Sequence, residues 1–262
     1  MTEYNEMSKG KKWAGYIISG VAAIFLLIDA VMKFVQPAEV VSATEALGYD
    51  RSVILPLGII LLVSVILYIF PRTTVLGAIL LTGYLGGAVA THVRLSNPVF
   101  SHVLVPVYFG IFIWLGLWLR KPLLRGYIPL RSIFTTDRSS AAMLWTGRLV
   151  SSLPILMLLF SALMKIFMPM PNDSPEMQAS GWTSEVLLKV GVVELVCTLI
   201  YIIPKTSIFG AILLTGYLGG AVATHVRTGD GMFFVPFAFG VLLWLGQWMR
   251  ERPLNKLVPL TN

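Results

Sequence analysis

Long apolar runs separated by short polar segments dominate the chain. Eight of them have about 18–23 residues each, and a helix of that length is long enough to cross the hydrocarbon core of a bilayer. The pattern therefore predicts an all-α integral membrane protein with eight transmembrane helices. The predicted helices cover residues 14–36, 53–70, 74–93, 103–120, 147–168, 185–203, 207–226 and 232–250.

The second half of the chain repeats the first. The eighteen residues from Gly77 to Arg94, GAILLTGYLGGAVATHVR, recur without change from Gly210 to Arg227. Each copy thus contributes four helices, and we expect two fused antiparallel four-helix bundles. The predicted organisation is a first repeat with a basic N-terminal segment (1–130), a cytoplasmic linker (131–146) and a second repeat (147–262).

Lysine and arginine are distributed unevenly between the two ends of the predicted helices. If the N-terminus is cytoplasmic, fourteen of the 20 Lys and Arg residues lie in cytoplasmic segments and four in outer segments. By the positive-inside rule, this asymmetry places both termini in the cytoplasm. Because four helices return the chain to the same side, the two bundles should have a parallel orientation. This topology explains the net charge of +7, and we find no nucleic-acid-binding module.

The single cysteine, Cys197, limits the chemistry of the chain. One cysteine excludes an intramolecular disulfide, a CxxC motif, a thiolate zinc site and an iron–sulfur site, and we predict no metal site. Cys197 falls within an apolar helix, where we expect a small buried packing residue.

Glycines of the repeated block fall on one face of a helix, at positions i, i+3 and i+4. They are Gly83, Gly86 and Gly87 in the first copy and Gly216, Gly219 and Gly220 in the second. In lipid, such a face lets a neighbouring backbone approach closely, which predicts helix packing. The alternative is a flat platform for a planar ligand such as a quinone ring. A phosphate loop is excluded because the glycines lie within a helix.

A histidine and an arginine end the third helix of each repeat: His92 and Arg94, then His225 and Arg227. Each arginine should lie on the glycine face and each histidine opposite. One interpretation is structural, with arginines that reach headgroups or outer-loop acids and histidines that form interfacial hydrogen bonds. The alternatives are proton exchange with a quinone or haem ligation, and nothing in the sequence brings the two imidazoles together for haem. His102 has no counterpart and is expected at the surface.

Each repeat carries one lysine and one carboxylate within its apolar helices. Lys33 follows Asp29 by four residues, whereas Lys165 has Glu194 on the next helix, at a position that Leu61 occupies in the first copy. An unpaired charge at this depth costs at least ~2.5–3.5 kcal/mol. We therefore expect an Asp29–Lys33 pair along one helix and a Glu194–Lys165 pair between two. The pairs either orient the bundles or form polar pockets for a headgroup, a quinone or a proton.

These motifs resemble the DoxX-like family of small bacterial membrane proteins. The second copy carries a lysine late in its first helix, GVVEL in its second, then PKT and the repeated block (Lys165, 191–195, 204–206 and 210–227). The first copy departs at Leu61, where Asp29 would have to substitute for the carboxylate. The resemblance implies a multi-pass protein of the bacterial cytoplasmic membrane. It also implies a link to quinone-dependent subunits and membrane-bound redox assemblies.

The leading functional prediction is a quinone- or lipid-interacting subunit that supports a membrane redox protein. The predicted polar pocket of the second repeat consists of Lys165, Glu194, Tyr217, His225 and Arg227. The corresponding residues of the first repeat are Asp29, Lys33, Tyr84, His92 and Arg94. In this hypothesis the lysine and the arginine hold a quinone oxygen, while the glutamate or the histidine moves a proton.

Two alternatives remain at this point. One is a non-enzymatic scaffold or assembly factor that contacts partner membrane proteins through its glycine faces. The other is a small-molecule permease, which ranks lower because no helix-interrupting Gly/Pro pair lies near the membrane midplane. Membrane lipids are expected partners in every case. The sequence leaves open the oligomeric state and whether the protein is an enzyme.

Overall fold

The computed structural model describes residues 8–130, 139–252, 254, 257 and 258. Every regular element in these ranges is helical, which confirms the all-α class. The α-helices are α1 (Lys9–Val35), α2 (Ala38–Ala46), α3 (Ile54–Ile69), α4 (Thr74–Arg94), α5 (Leu104–Arg120), α6 (Pro122–Arg125), α7 (Ala141–Phe167), α8 (Pro175–Ser180), α9 (Ser184–Ile202), α10 (Ser207–Thr228) and α11 (Phe234–Arg250). A short 3₁₀ helix (Arg51–Val53) precedes α3, and a π-helical turn (Val99–Val103) precedes α5.

Among the described helices, six are long and apolar enough to cross a membrane: α1, α3 with its 3₁₀ turn, α4, α5 with its π turn, α7 and α10. Their exposed sides carry large apolar side chains, as expected of helices that face lipid. The chain is therefore a multi-pass membrane protein. The other two predicted spans correspond to α9, which carries three charged residues, and α11, which has 17 residues. Eight crossings and cytoplasmic termini stay predictions.

Several helix ends differ from the sequence prediction. α1 begins at Lys9 instead of residue 14, and α7 begins at Ala141 instead of residue 147. The Ser140 hydroxyl accepts a hydrogen bond from the Met143 N–H, so this cap starts α7 inside the predicted linker. Residues 131–138 of that linker lie outside the described residues. The short helices α2, α6 and α8 were not predicted.

The long helices of each repeat form a closed ring of four. In the first, α1 and α4 each pack against α3 and α5; in the second, α7 and α10 each pack against α9 and α11. Glycines let the backbones approach where α1 crosses α5, because a Cβ on Gly15 would lie 2.9 Å from the Gly116 carbonyl oxygen. The same crossing joins Gly147 of α7 to Gly246 of α11. The two rings therefore repeat one packing scheme.

The two repeats meet through the glycine faces of α4 and α10, which make the most extensive contact between helices. A Cβ built on Gly86 would overlap the backbone of Gly216, and a Cβ on Gly219 would overlap that of Gly83. Close approach of this kind is what small residues at helical spacing permit in lipid. The structure thus places the repeated block in the contact between the bundles.

Candidate functional site

Lys165 of α7 and Glu194 of α9 form a buried ion pair in the second repeat. Their Nζ and Oε2 atoms are 3.0 Å apart, and the glutamate side chain is 1% exposed while that of the lysine is 24% exposed. Lys165 also donates to the Ser161 hydroxyl, which in turn donates to Glu194 Oε2 at 3.3 Å. A Cβ on Gly191 would lie 2.8 Å from the Lys165 Cβ, so this glycine lets α7 and α9 come close enough to pair.

A third helix reaches the same carboxylate. Tyr217 of α10 is half-buried and interacts with the Glu194 side chain. Cys197, the buried free cysteine, lies one turn beyond Glu194 on α9, in the packing position expected of it. The structure therefore brings together Lys165, Glu194 and Tyr217 of the predicted pocket and adds Ser161. The spacing of four residues between Ser161 and Lys165 on one helix face is the signal that identifies the serine.

The first repeat forms its lysine–carboxylate pair along α1. Lys33 Nζ lies 2.5 Å from Asp29 Oδ1, and the side chains are 15% and 38% exposed, respectively. Leu61, which is fully buried, takes the position of Glu194. Tyr84 of α4 lies in the neighbourhood of Asp29. Of the predicted trio, Asp29 and Lys33 are paired, and their carboxylate is more exposed than Glu194.

An apolar pocket of about 130 Å³ opens beside Lys165, between the end of α7 and the start of α9. Met164, Met168 and Met170 supply much of its wall, with Leu187 across from them on α9. Lys165 is the charged residue of this lining. An enclosed cavity of about 150 Å³ holds one benzene ring, so this pocket, which opens to the surface, has slightly less space than one six-membered ring fills. Methionine side chains suit such a ring because they are flexible and polarisable.

The histidines turn towards the loops that follow their helices. His225 Nδ1 lies 2.8 Å from Asp230 Oδ2, and His92 Nδ1 lies 2.9 Å from Asn97 Nδ2. In both repeats the partner follows the histidine by five residues. The hydrogen bond from His225 lowers the pKa of the Asp230 carboxyl below its usual value. His225 is therefore engaged outside the predicted pocket, by a partner that the sequence analysis missed. His102 is exposed, as expected.

The arginines occupy a separate location between the repeats. Arg94 donates from Nη2 to the Leu47 carbonyl oxygen at 2.6 Å, and Arg227 donates to the Ser180 carbonyl oxygen. Arg227 follows Tyr217 by ten residues on α10, which is about 15 Å along the helix axis. The five residues of the predicted second-repeat pocket thus separate into three places: the Lys165–Glu194–Tyr217 group, the His225 loop and the Arg227 contact. No pocket of all five exists in the described structure.

Comparison with protein-family models decides the family. The model of the DoxX-like family matches residues 17–116 and, a second time, residues 149–246. The chain belongs to the DoxX-like family. The two matches confirm the tandem duplication that the repeated block predicts. No curated protein and no solved structure matches the chain.

Both family matches contain the lysine–carboxylate group of their repeat. The range 149–246 includes Lys165, Glu194 and the methionine-lined pocket, and the range 17–116 includes Asp29 and Lys33. The candidate site therefore lies within the part of the chain that defines this protein as DoxX-like. The two copies differ there in the depth of the carboxylate, so the family fold accommodates either arrangement.

A cleft of about 670 Å³ with polar and apolar walls lies at the opposite end of the second bundle of this DoxX-like protein. Arg148 and Arg250 line it together with three serines, and both arginines fall just outside the family match. Arg250 lies over the Tyr201 ring and donates to its hydroxyl at 2.8 Å. In the first repeat Tyr16 stands where Arg148 does and lies under Arg120. Comparing these equivalent positions is the signal that would have revealed the cleft.

Proposed function

We propose that this DoxX-like protein is a membrane subunit that binds a quinone, or a similar lipid-soluble carbonyl compound, in its second repeat and supports a membrane redox partner. One observation carries the proposal: Lys165, the ion-pair partner of the buried Glu194, lines a small apolar pocket. A quinone combines a flat apolar ring with carbonyl oxygens that accept hydrogen bonds. Ligand sites commonly join apolar walls to a few placed polar groups in this way.

Each group of the pocket has a place in this proposal. The methionine side chains pack against the ring, and Lys165 Nζ donates to a carbonyl oxygen. Reduction of a quinone to a quinol takes two electrons and two protons. The electrons come from the redox partner, and Glu194, held by Lys165, Ser161 and Tyr217, relays the two protons one after the other from water to the two ring oxygens. Neither His225 nor Arg227 takes part, because both are engaged elsewhere.

We also propose the finer membrane topology in full: eight crossings, both termini in the cytoplasm, and a bacterial cytoplasmic membrane as the host. The packing supports eight crossings, because α9 and α11 take the same places in the second ring that α3 and α5 take in the first. The repeat boundaries at 1–130, 131–146 and 147–262 belong to the same proposal.

The scaffold alternative receives less support. It requires glycine faces that are open to a partner protein, and here α4 and α10 cover each other's glycines. A scaffold would have to use the remaining lipid-facing surfaces instead. Co-purification of a stoichiometric protein partner without any quinone would favour it.

The experiment is mass spectrometry of the organic extract of gently purified protein, normalised to protein and compared with an unrelated membrane protein from the same cells. We expect about one quinone per chain in the wild type and its loss in Lys165→Met, which removes the donor beside the pocket. Asp29→Asn is the matched control: it alters the lysine–carboxylate pair of the other repeat and should retain the quinone. An extract that matches the unrelated protein would refute the proposal.

A further inference from the structure

The two arginines of the repeated block come together on the outer side of the contact between the repeats. Arg94 ends α4, and Arg227 lies in the last turn of α10. A Cβ built on Gly181 would lie 3.2 Å from Arg94 Nη1 and 3.8 Å from Arg227 Nη2. The two nitrogens are thus at most about 7 Å apart, which is within the reach of one tetrahedral oxyanion. Two like charges face each other at this point.

The surroundings offset this charge only in part. Each guanidinium donates to a backbone carbonyl at the C-terminal end of a short outer helix, Leu47 after α2 and Ser180 in α8. These carbonyls carry partial negative charge, but they are not anions. Across the described ranges, no carboxylate forms an ion pair with either arginine. Nε of Arg227 is also buried there without a hydrogen-bond partner. A buried charged donor left without an acceptor is costly.

Two glycine turns border the arginines. Gly48 and Gly181 have positive φ values of 83° and 65°, and both arginines approach each turn. At Gly48, an added Cβ would lie 3.3 Å from Arg94 Nη2 and 3.5 Å from Arg227 Cδ. A side chain at either turn would crowd the guanidinium groups. Each repeat thus contributes one arginine and one side-chain-free turn to the same place.

We infer that Arg94 and Arg227 jointly bind one oxyanion of the phosphate type on the outer face of the protein. The planar guanidinium forks suit bidentate recognition of phosphate oxygens, and a bound anion removes the repulsion between the two cations. The phosphate group is either free in solution or part of a phospholipid headgroup. Because neither repeat supplies both arginines, the site exists only in the fused pair. It is separate from the Lys165 pocket and independent of the quinone proposal.

Thermal unfolding of the protein in a maltoside detergent tests the inference, with chloride replaced by inorganic phosphate at constant ionic strength. We expect a saturable rise of Tm in the wild type, because a ligand that binds the folded state stabilises it. Arg94→Gln and Arg227→Gln should each weaken phosphate binding roughly tenfold or more. Arg51→Gln, which removes an exposed arginine from the same outer face, should bind phosphate as the wild type does.

The Tm without phosphate separates anion binding from a purely structural role. If the function of the two arginines is to bind an anion, each glutamine variant has the same Tm as the wild type in chloride or a higher one, because one of two repelling charges is gone. If they serve only as caps for the Leu47 and Ser180 carbonyls, each variant lowers Tm equally with and without phosphate, and the inference is overturned.

Native mass spectrometry distinguishes the two sources of phosphate. A phospholipid that stays on the wild type, leaves when phosphate is added and is missing from both glutamine variants identifies a lipid headgroup. Saturable stabilisation by phosphate without a retained phospholipid identifies a free oxyanion. If neither phosphate nor phospholipid distinguishes the wild type from the variants, the inference is wrong.

Discussion

Glu194 and Leu61 occupy equivalent positions in the two repeats and are both buried, but only the glutamate requires a partner. Removing one member of a buried ion pair leaves an uncompensated charge, whereas replacing both members with apolar residues is often neutral. The first repeat has the apolar residue Leu61 at this position, and its lysine pairs instead with Asp29 on the same helix. The Lys165–Glu194 pair is therefore open to a double-mutant test.

We predict that Glu194→Leu destabilises the protein by about 3 kcal/mol, because Lys165 loses its counter-charge in a low-dielectric environment. Lys165→Met combined with Glu194→Leu should recover most of this loss. Denaturant unfolding in detergent micelles measures both. Asp29→Leu is the control and should cost less, because that carboxylate is 38% exposed. Equal stability of the single and double variants would show that the two residues are not coupled.

The pair of His225 with Asp230 predicts an acid-dependent contribution to stability. Because the hydrogen bond from His225 lowers the Asp230 pKa from its usual 3.8, this contribution is complete above that value and is lost as pH falls through the lowered pKa. Asp230→Asn should flatten the decline of Tm below about pH 4. The first repeat allows the opposite test. Asn97→Asp places a carboxylate beside His92 and should make Tm decline further at low pH. Unchanged profiles in both variants would contradict the pairing.

At the residue scale, the sequence could predict which charges within the helices pair, but not which residues the polar side chains at the helix ends contact. Both lysine–carboxylate pairs follow from the cost of an isolated charge in an apolar helix. The structure places His225 and Arg227 away from the Lys165–Glu194–Tyr217 group, because a loop residue and a short helix engage them. Their partners, Asp230 and the Ser180 carbonyl, lie in segments without apolar periodicity, so the sequence pattern does not predict their positions.

At the scale of elements, the glycines of α4 and α10 are not equivalent. A Cβ on Gly86 or Gly219 would overlap the backbone of the facing helix, whereas a Cβ on Gly83 or Gly216 would lie 3.8 Å from a threonine methyl, an ordinary contact. The i, i+3, i+4 spacing identifies the face but not which glycine lies at the crossing point. That depends on the register between the two helices, which only the structure supplies.

We predict that Gly86→Ala lowers the stability of the contact between the repeats, since the two backbones must separate to admit one methyl group. Gly83→Ala, on the same helix face, should be neutral or stabilising, because alanine favours a helix by up to about 1 kcal/mol over glycine. Thermal unfolding of the two variants in one detergent compares them directly. Gly110→Ala, whose Cβ would meet nothing within 4 Å, serves as a second control. Equal Tm values for Gly83→Ala and Gly86→Ala would contradict the packing.

On the scale of the whole molecule, duplication has kept the packing and changed the chemistry. The two repeats share their crossing glycines, a short helix after the first long one (α2 and α8) and the identical block at their contact. They differ at Leu61 and Glu194, and at Tyr16 and Arg148; the apolar pocket beside Lys165 and the cleft lined by Arg148 both lie in the second repeat. A fused pair allows this, since one copy can preserve the fold while the other acquires a site.

Whether α9 crosses the membrane is the remaining question at this scale, and positions after α9 and α10 decide it. If α9 spans the membrane, Lys205 lies in the cytoplasm and Met232 outside; if it does not, the two exchange sides. The test is labelling of single cysteines by a membrane-impermeant maleimide in intact cells, in a Cys197→Ser background. We expect Met232→Cys to react in intact cells and Lys205→Cys only after permeabilisation. In the first repeat, Arg72→Cys, which corresponds to Lys205, and Ser101→Cys, in the loop that corresponds to that of Met232, should behave likewise. A reversal confined to the second repeat would exclude eight crossings.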